Sequence, residues 1–477
     1  MARLARRSVT LVVFAAFMLS GVPPLAAQTV DELENVLASR STESWTGITV
    51  DAVRDVGTYL SVAIEPFTGA PFLSYYEGAA GDLWFAQYVG SGGNCGPGSS
   101  WHCQLVASTG DVGKYNSIAV HRSAAGEVSA IISFYDATNH ALKIAQAACT
   151  NACPFVVSTI QSGTVVTPRG LHTAVAYAPT GAPWISYQTR YLSGNETVRV
   201  ASYVGAGGNC GVGGETGRWQ CDSILSSEGI GDYTAIDFDS SGRPHIAFYD
   251  PVTGYPHYAV RIGSGGNCGP ANAWLCRSSY LNSHDTGRSI SVFVEPDATP
   301  HLAYVDVTSE ALIYATYVGS GGNCGWSGVS LAFEYQCDVI DDEIGLVGSG
   351  RTVAIAGDVN NVPIIAYRDA SSDLGAAMLM MAQPYFAAPA GAVPNCGPVD
   401  LFYTWVCTVL DNGGAYQDEA AAVAMHSNAS GVAIAYHELD DYAYPSEGNL
   451  KVSWNQLLIF ADGFESASAS RWSAHVP

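Results

Sequence analysis

Lysine is almost absent from this chain: Lys114, Lys143 and Lys451 are the only three in 477 residues. With 20 basic against 43 acidic side chains, the formal charge is −23. A surface that acidic repels nucleic acid, anionic membranes and polyanions, and leaves neutral glycans and cationic or basic partners as the compatible classes. Sustained helical periodicity is missing too, and a helix is expected only near Asp31–Ser39. Beyond the first twenty or so residues no apolar run is long enough to cross a bilayer, so no membrane span is expected. The G-x-S-x-G elbow, the H-E-x-x-H pair, a Ser-His-Asp order and the phosphate loop are all lacking. Glycine-rich GSGGNCG segments occur, but none opens a helix, so they do not supply the donor cluster that cradles phosphate. No C-x2-C spacing is present and histidines are not interleaved at ligand distance, which argues against a zinc cluster. Neither a metal nor a cofactor is expected.

The N-terminus reads as an address. Arg3, Arg6 and Arg7 precede an apolar run, Val9 to Leu19, and Leu25-Ala26-Ala27 supplies small residues for cleavage before Gln28. That pattern predicts a signal peptide over 1–27 and an exported chain. Export places the twelve cysteines in an oxidising compartment, where disulfides are the expected use. Locality predicts six pairs: Cys95–Cys103, Cys149–Cys153, Cys210–Cys221, Cys268–Cys276, Cys324–Cys337 and Cys396–Cys407. Each would close a short loop contributing ~2–3 kcal/mol on the chain-entropy account.

Repetition is the dominant feature. An apolar-[Ser/Ala]-[Tyr/Phe]-x-[Asp/Glu] motif recurs as LSYYE (Leu73–Glu77), ISFYD (Ile132–Asp136), IAFYD (Ile246–Asp250), LAYVD (Leu302–Asp306), IAYRD (Ile365–Asp369) and IAYHE (Ile434–Glu438). A seventh copy, ISYQT (Ile185–Thr189), lacks the acid. Each copy divides into four strand-like runs separated by Gly, Pro, Asn and Asp. Seven four-stranded units predict an all-β, seven-bladed β-propeller over residues 45–457. A lead segment, 28–44, precedes it and a tail, 458–477, follows. One local disulfide is expected in each of six blades. The seventh lacks cysteines because it is split: Trp45–Val50 matches a fourth strand and Leu450–Gln456 a third. The N-terminal strand is therefore expected to close the last blade and remove the exposed sheet edges. The chain is expected to act as a monomer.

Strand parity then maps the faces. Cysteine hairpins and the Ser-Ser-Gly-Arg-Pro type of turn share one face. The acid-bearing turns and the entries to the innermost strands share the other, where the central channel opens. Aligning those entries puts Tyr59, Tyr115, His172 and Tyr233 at one position, preceded around the ring by Thr58, Lys114, Leu171, Asp232, Arg288, Arg351 and Glu419. Flat polar-edged rings beside changing charges are what a binding funnel would present, with Arg or Lys able to grip a carboxylate. The candidate ligand-binding set is Tyr59, Lys114, Tyr115, His172, Asp232, Tyr233, Arg288 and Arg351. The alternative is that these side chains plug the channel and satisfy backbone groups. The six motif acids are expected to cap their own turns as Asx-turns rather than to ligate or catalyse. His245 and His301 begin second strands and are expected at the hairpin rim.

The run Asp239-Ser240-Ser241-Gly242-Arg243-Pro244-His245-Ile246-Ala247-Phe248-Tyr249-Asp250 resembles repeats of secreted bacterial propellers of the sialidase-like, or BNR-like, kind. That resemblance implies a carbohydrate-directed propeller, although the Ser-x-Asp-x-Gly-x-x-Trp boxes of sialidases are missing. Some polysaccharide lyases are also seven-bladed and use Tyr, His and Arg, which His172, Tyr233 and Arg288 could mimic. The end of the chain, with Asp462-Gly463-Phe464-Glu465-Ser466 and Arg471-Trp472-Ser473, resembles a short tail on exported proteobacterial proteins. Together these imply a secreted, periplasmic or cell-surface recognition protein, binding a glycan or other surface molecule at the funnel. A carbohydrate-active enzyme on the same face is the alternative.

Overall fold

Each sequence copy folds as one four-stranded antiparallel sheet, and there are seven of them. The computed structural model describes residues 45 and 47–456 apart from 150–152, 193, 279–284, 326–332, 346–350, 372–376, 389–391, 399–403, 413–421, 429–430 and 440–447. The expected signal peptide, lead segment, early helix, C-terminal tail and Glu419 lie outside the described residues. Among the described residues no helix is long and apolar enough to cross a membrane.

The innermost strands are Val56–Ile64, Val112–Arg122, Arg169–Tyr177, Asp232–Phe238, Thr286–Val294, Val353–Gly357 and Val423–Asn428. Each packs against the innermost strand of the next copy, and the last packs on the first, so the ring closes. Closure uses the chain ends as expected. Gly47–Asp51 is the outermost strand of blade seven, with Gly47 opposite Ser453 and Ile48 opposite Val452.

The apolar core is not one mass but a wedge at every seam. Ile131, Ile144, Ile185 and Trp219 fill the seam between blades two and three. Ile246, Phe248, Val198 and Trp274 do the same between three and four. Near the axis the seams are keyed by the second residue of the blade motif. Where it is serine, the next blade offers a polar partner: Ser74 Oγ donates to Asn116 Oδ1 at 2.6 Å, Ser133 meets Thr173, and Ser186 meets Thr234 at 2.9 Å. Where it is alanine, the partner is aliphatic: Ala247 shares a cluster with Ile290, Ala303 with Val353, Ala366 with Val423 and Ala435 with Leu60. Buried hydroxyls are thus paired with hydrogen-bonding partners and methyls with hydrocarbon.

All six expected disulfides are formed. The Asn before the first cysteine explains the recurring GGNC. In five blades its side chain accepts from the second cysteine's N–H and donates to that residue's carbonyl, as Asn94 does with Cys103 at 2.6 and 2.9 Å. In four of these blades glycine precedes that Asn, where a Cβ at Gly266 would lie 1.9 Å from the Trp274 carbonyl oxygen; in the fifth Pro394 stands before Asn395. Hairpins also latch backwards: Gly211, Gly269 and Gly397 donate N–H to Ile160, Ile224 and Ile340 on the preceding blade, at 3.0, 2.9 and 2.8 Å.

Candidate functional site

The funnel is made by a kink at the entry to the innermost strands. Gly57, Gly113, Gly170, Gly231 and Gly287 have φ between +95° and +111°. A Cβ at Gly113 would stand 2.9 Å from Leu83, so the position needs glycine twice over. Two residues later Tyr115, His172, Tyr233 and Ser289 are left-handed, with φ of 52°, 49°, 54° and 60°. Bulky side chains seldom adopt that backbone. Between this kink and the following strand the ladder register shifts.

Tyr59, Tyr115, His172 and Tyr233 line one cavity of about 370 Å3, together with Thr58, Arg190, Asp232 and Arg351. Their rings form an arc across four blades, with centroids 4.8 Å apart from Tyr59 to Tyr115, 4.4 Å to His172 and 5.2 Å to Tyr233. Side chains beneath hold the arc's backbone: Asn116 Nδ2 donates to the Tyr59 carbonyl at 3.0 Å, and Thr234 Oγ1 to the His172 carbonyl at 2.6 Å.

Asp232 is the acidic centre of the wall. Its Oδ1 accepts from Gln188 Nε2 at 2.8 Å and lies 3.4 Å from His172 Nε2 and 4.0 Å from an Arg190 nitrogen. Burial raises the Asp232 carboxyl, against the pull of Gln188, Arg190 and Arg288. Burial holds the His172 imidazole down at about 3, with Arg351 and Arg190 adding to the effect, so it is neutral at physiological pH. Burial also raises the phenols of Tyr59 and Tyr233, which stay protonated. Arg190 bridges to Glu196 at 3.0 Å, and burial raises that carboxyl as well. The site therefore presents aromatic faces, neutral donors and guanidinium groups.

Of the eight candidate residues, six line this cavity: Tyr59, Tyr115, His172, Asp232, Tyr233 and Arg351. Lys114 is engaged elsewhere, its ammonium 2.6 Å from Asp111 and 5.6 Å above the Tyr76 ring. Arg288 is not among the lining residues but acts electrostatically on Asp232 and Tyr233. Arg351 is the floor rather than a mobile gripping arm. Its guanidinium donates to the carbonyls of Ile290 at 3.1 Å and Thr234 at 2.8 Å. Below it runs the channel, about 400 Å3, which Arg351, Asn116 and Leu60 line from above. There Ser61, Ser117, Ser291 and Asp237 each accept a backbone N–H from the next blade.

Arg190, Gln188 and Asn116 were not among the sequence candidates. Arg190 follows Thr189, which stands where the other copies carry an acid, and that irregularity was the available signal. The acids themselves cap turns in four blades: Asp136, Asp250, Asp306 and Asp369 accept from N–H groups two or three residues on. The two glutamates differ. Glu77 accepts from Trp84 Nε1 at 2.8 Å, and Glu438 from Asn449 at 2.9 Å. His245 and His301 are buried, each held between an acid (Asp239, Glu295) and a tyrosine (Tyr258, Tyr314). Among the described residues no group of three or more His, Cys, Asp or Glu is arranged to hold a metal.

No family model and no curated protein matches this chain. Among solved structures, an Aleuria aurantia lectin in complex with alpha-methyl-L-fucoside is 10% identical, covering 76% of this chain and 97% of its own, with a TM-score of 0.43. A polysaccharide lyase is 11% identical over 83% of this chain and 89% of its own, with a TM-score of 0.44. A protein of unknown function from Dyadobacter fermentans is 7% identical over 87% and 99%, with a TM-score of 0.45. At these levels the likeness is weak, and nothing about a ligand passes from them to this chain.

Proposed function

We propose that this is a secreted recognition protein whose funnel binds a glycan. The observation that carries the reading is the arc of Tyr59, Tyr115, His172 and Tyr233, drawn from four successive blades onto one cavity wall. Such rings offer apolar faces to the C–H faces of a sugar while phenol and imidazole edges bond its hydroxyls. Three of the four are held in left-handed backbone, a cost that a purely space-filling role does not require. Six disulfides suit the oxidising exterior. The test is retention on a glycan array by the wild type and by Tyr115→Ala and Tyr233→Ala. Binding by the wild type that both variants lose supports the reading; binding that both keep removes the funnel from it.

One observation favours a second reading, a carbohydrate-active enzyme. Asp232 and Glu196 both contact Arg190 and both have raised carboxyl pKa values, mainly from burial. Two carboxyls close to one another, at least one held protonated by burial, are the residue types that glycoside hydrolysis uses as acid and base. Incubation with the array-selected oligosaccharide, followed by mass analysis, separates the two: a binder returns it intact.

A further inference from the structure

The seam between blades two and three breaks a charge pattern that other seams keep. In blades one, six and seven the motif tyrosine donates to an aspartate that ends the outermost strand of the preceding blade: Tyr75 to Asp51 at 3.1 Å, Tyr367 to Asp341 at 2.7 Å and Tyr436 to Asp411 at 2.7 Å. In blade seven Lys451, opposite Tyr436 on the third strand, lies 3.1 Å from that aspartate and 2.5 Å from the motif acid Glu438. One cation thus sits between two carboxylates. Blade two repeats half of this, with Lys143 2.6 Å from Asp136.

Blade three keeps the cation and loses both acids. Tyr187 donates at 2.7 Å to Gln161, which ends the outermost strand of blade two where those other blades have aspartate. Thr189 replaces the motif acid. Arg199, opposite Tyr187, holds the ladder position of Lys143 and Lys451. Among the described residues its guanidinium donates only to the hydroxyls of Tyr187 at 3.2 Å and Ser223 at 2.9 Å. A second cation is added: Arg169 stands opposite Thr189, where Val56, Val112 and Thr286 stand opposite Glu77, Asp136 and Asp306. Arg169 Nε is buried without a partner, and so is the hydroxyl of Thr189, a residue 0% exposed. Residues directly opposite in a ladder share a sheet face, so Arg169, Thr189, Tyr187 and Arg199 all face the seam that Tyr187 fills. Burial raises the Tyr187 phenol and both guanidiniums pull it back down, so their fields meet there.

Two partly buried guanidiniums without a counter-charge are costly, and their forked donors fit oxygen anions. We propose that this seam holds a small inorganic oxyanion, phosphate or sulfate, between Arg169 and Arg199, with the Thr189 hydroxyl donating to it. Two positive charges match a dianion. The ion supplies from solution what Asp411 and Glu438 supply to Lys451 from the chain. The molecule's charge of −23 does not prevent this, because beyond about 8 Å salt screens exposed charges. No residue of the ring arc takes part, so the site is independent of the glycan reading.

For the test, full-length protein is dialysed into chloride buffer, and an unfolded aliquot is assayed for retained phosphate and sulfate. Melting is then followed as each anion replaces chloride at constant ionic strength. Wild type is expected either to retain a stoichiometric anion or to show a saturable rise of roughly 3 °C at a hundredfold excess over Kd. Thr189→Asp restores the acid from within; it should melt above wild type in chloride and lose the response and any retained ion. Arg169→Gln should lose both as well, and if it fails to fold, Thr189→Asp alone decides. No rise together with no retained anion would overturn the proposal. An equal rise in Thr189→Asp would also overturn it, marking general salt stabilisation. Whichever anion is retained, or acts at the lower concentration, is the resident one.

Discussion

Replacing Ser133 by alanine should destabilise the ring, and replacing Thr173 by valine as well should restore most of the loss. The two hydroxyls meet across the seam of blades two and three, at 0% and 4% exposure. Removing one leaves the other desolvated and unpaired, which costs ~1–3 kcal/mol. Removing both recreates the alanine–valine pair that already sits between blades five and six as Ala303 and Val353. Each single variant should therefore lose about 2 kcal/mol and the double variant under about 1, a coupling of about 3 kcal/mol or more in the double-mutant cycle. Scanning calorimetry would register roughly 1 °C per kcal/mol for a ring of this size, so singles should melt some 2 °C low and the double near wild type. Additive losses, with the double variant worst, would refute the keying argument.

Removing the Cys268–Cys276 link with paired serines should cost ~2–3 kcal/mol and speed amide exchange at Gly269, whose N–H latches onto Ile224; unchanged protection would detach the latch from the disulfide. Asp237 lies in the channel with its carboxyl pushed up to about 6 by burial. Its folded pKa exceeds the unfolded value of about 4, so between these pH values the folded state holds the extra proton and stability falls as pH rises. Asp237→Asn should flatten that slope in pH-dependent melting, and an identical slope would assign it elsewhere. Gly113→Ala must adopt φ +108° with its Cβ 2.9 Å from Leu83; a loss of ~1–3 kcal/mol is expected, read by chemical denaturation, and a neutral result would mean the kink relaxes freely.

The architecture was legible because its signals are local and repeated: blade motif, cysteine spacing and the split seventh copy. Parity also gave the funnel face and its ring-bearing position, since Tyr59, Tyr115, His172 and Tyr233 are equivalent in sequence. Parity does not choose a side chain's partner. Lys114, Arg288 and Arg351 occupy one repeat position, yet Asp111 beside Lys114 takes its ammonium, while Arg351 finds two carbonyls of neighbouring blades. Arg190 escaped because it lies in the turn of the one copy without its acid. The change from Ser in the first three copies of the motif to Ala in the last four was visible, but its meaning needs the residue across the seam, 40 to 48 positions away for the three serines.

Titration calorimetry of the array-selected glycan against wild type, Tyr115→Ala and His172→Ala reaches the central claim most directly. The account predicts affinity reduced about tenfold or more in each variant, with the melting profile preserved. Undiminished affinity in both would show that the sugar binds away from the ring arc.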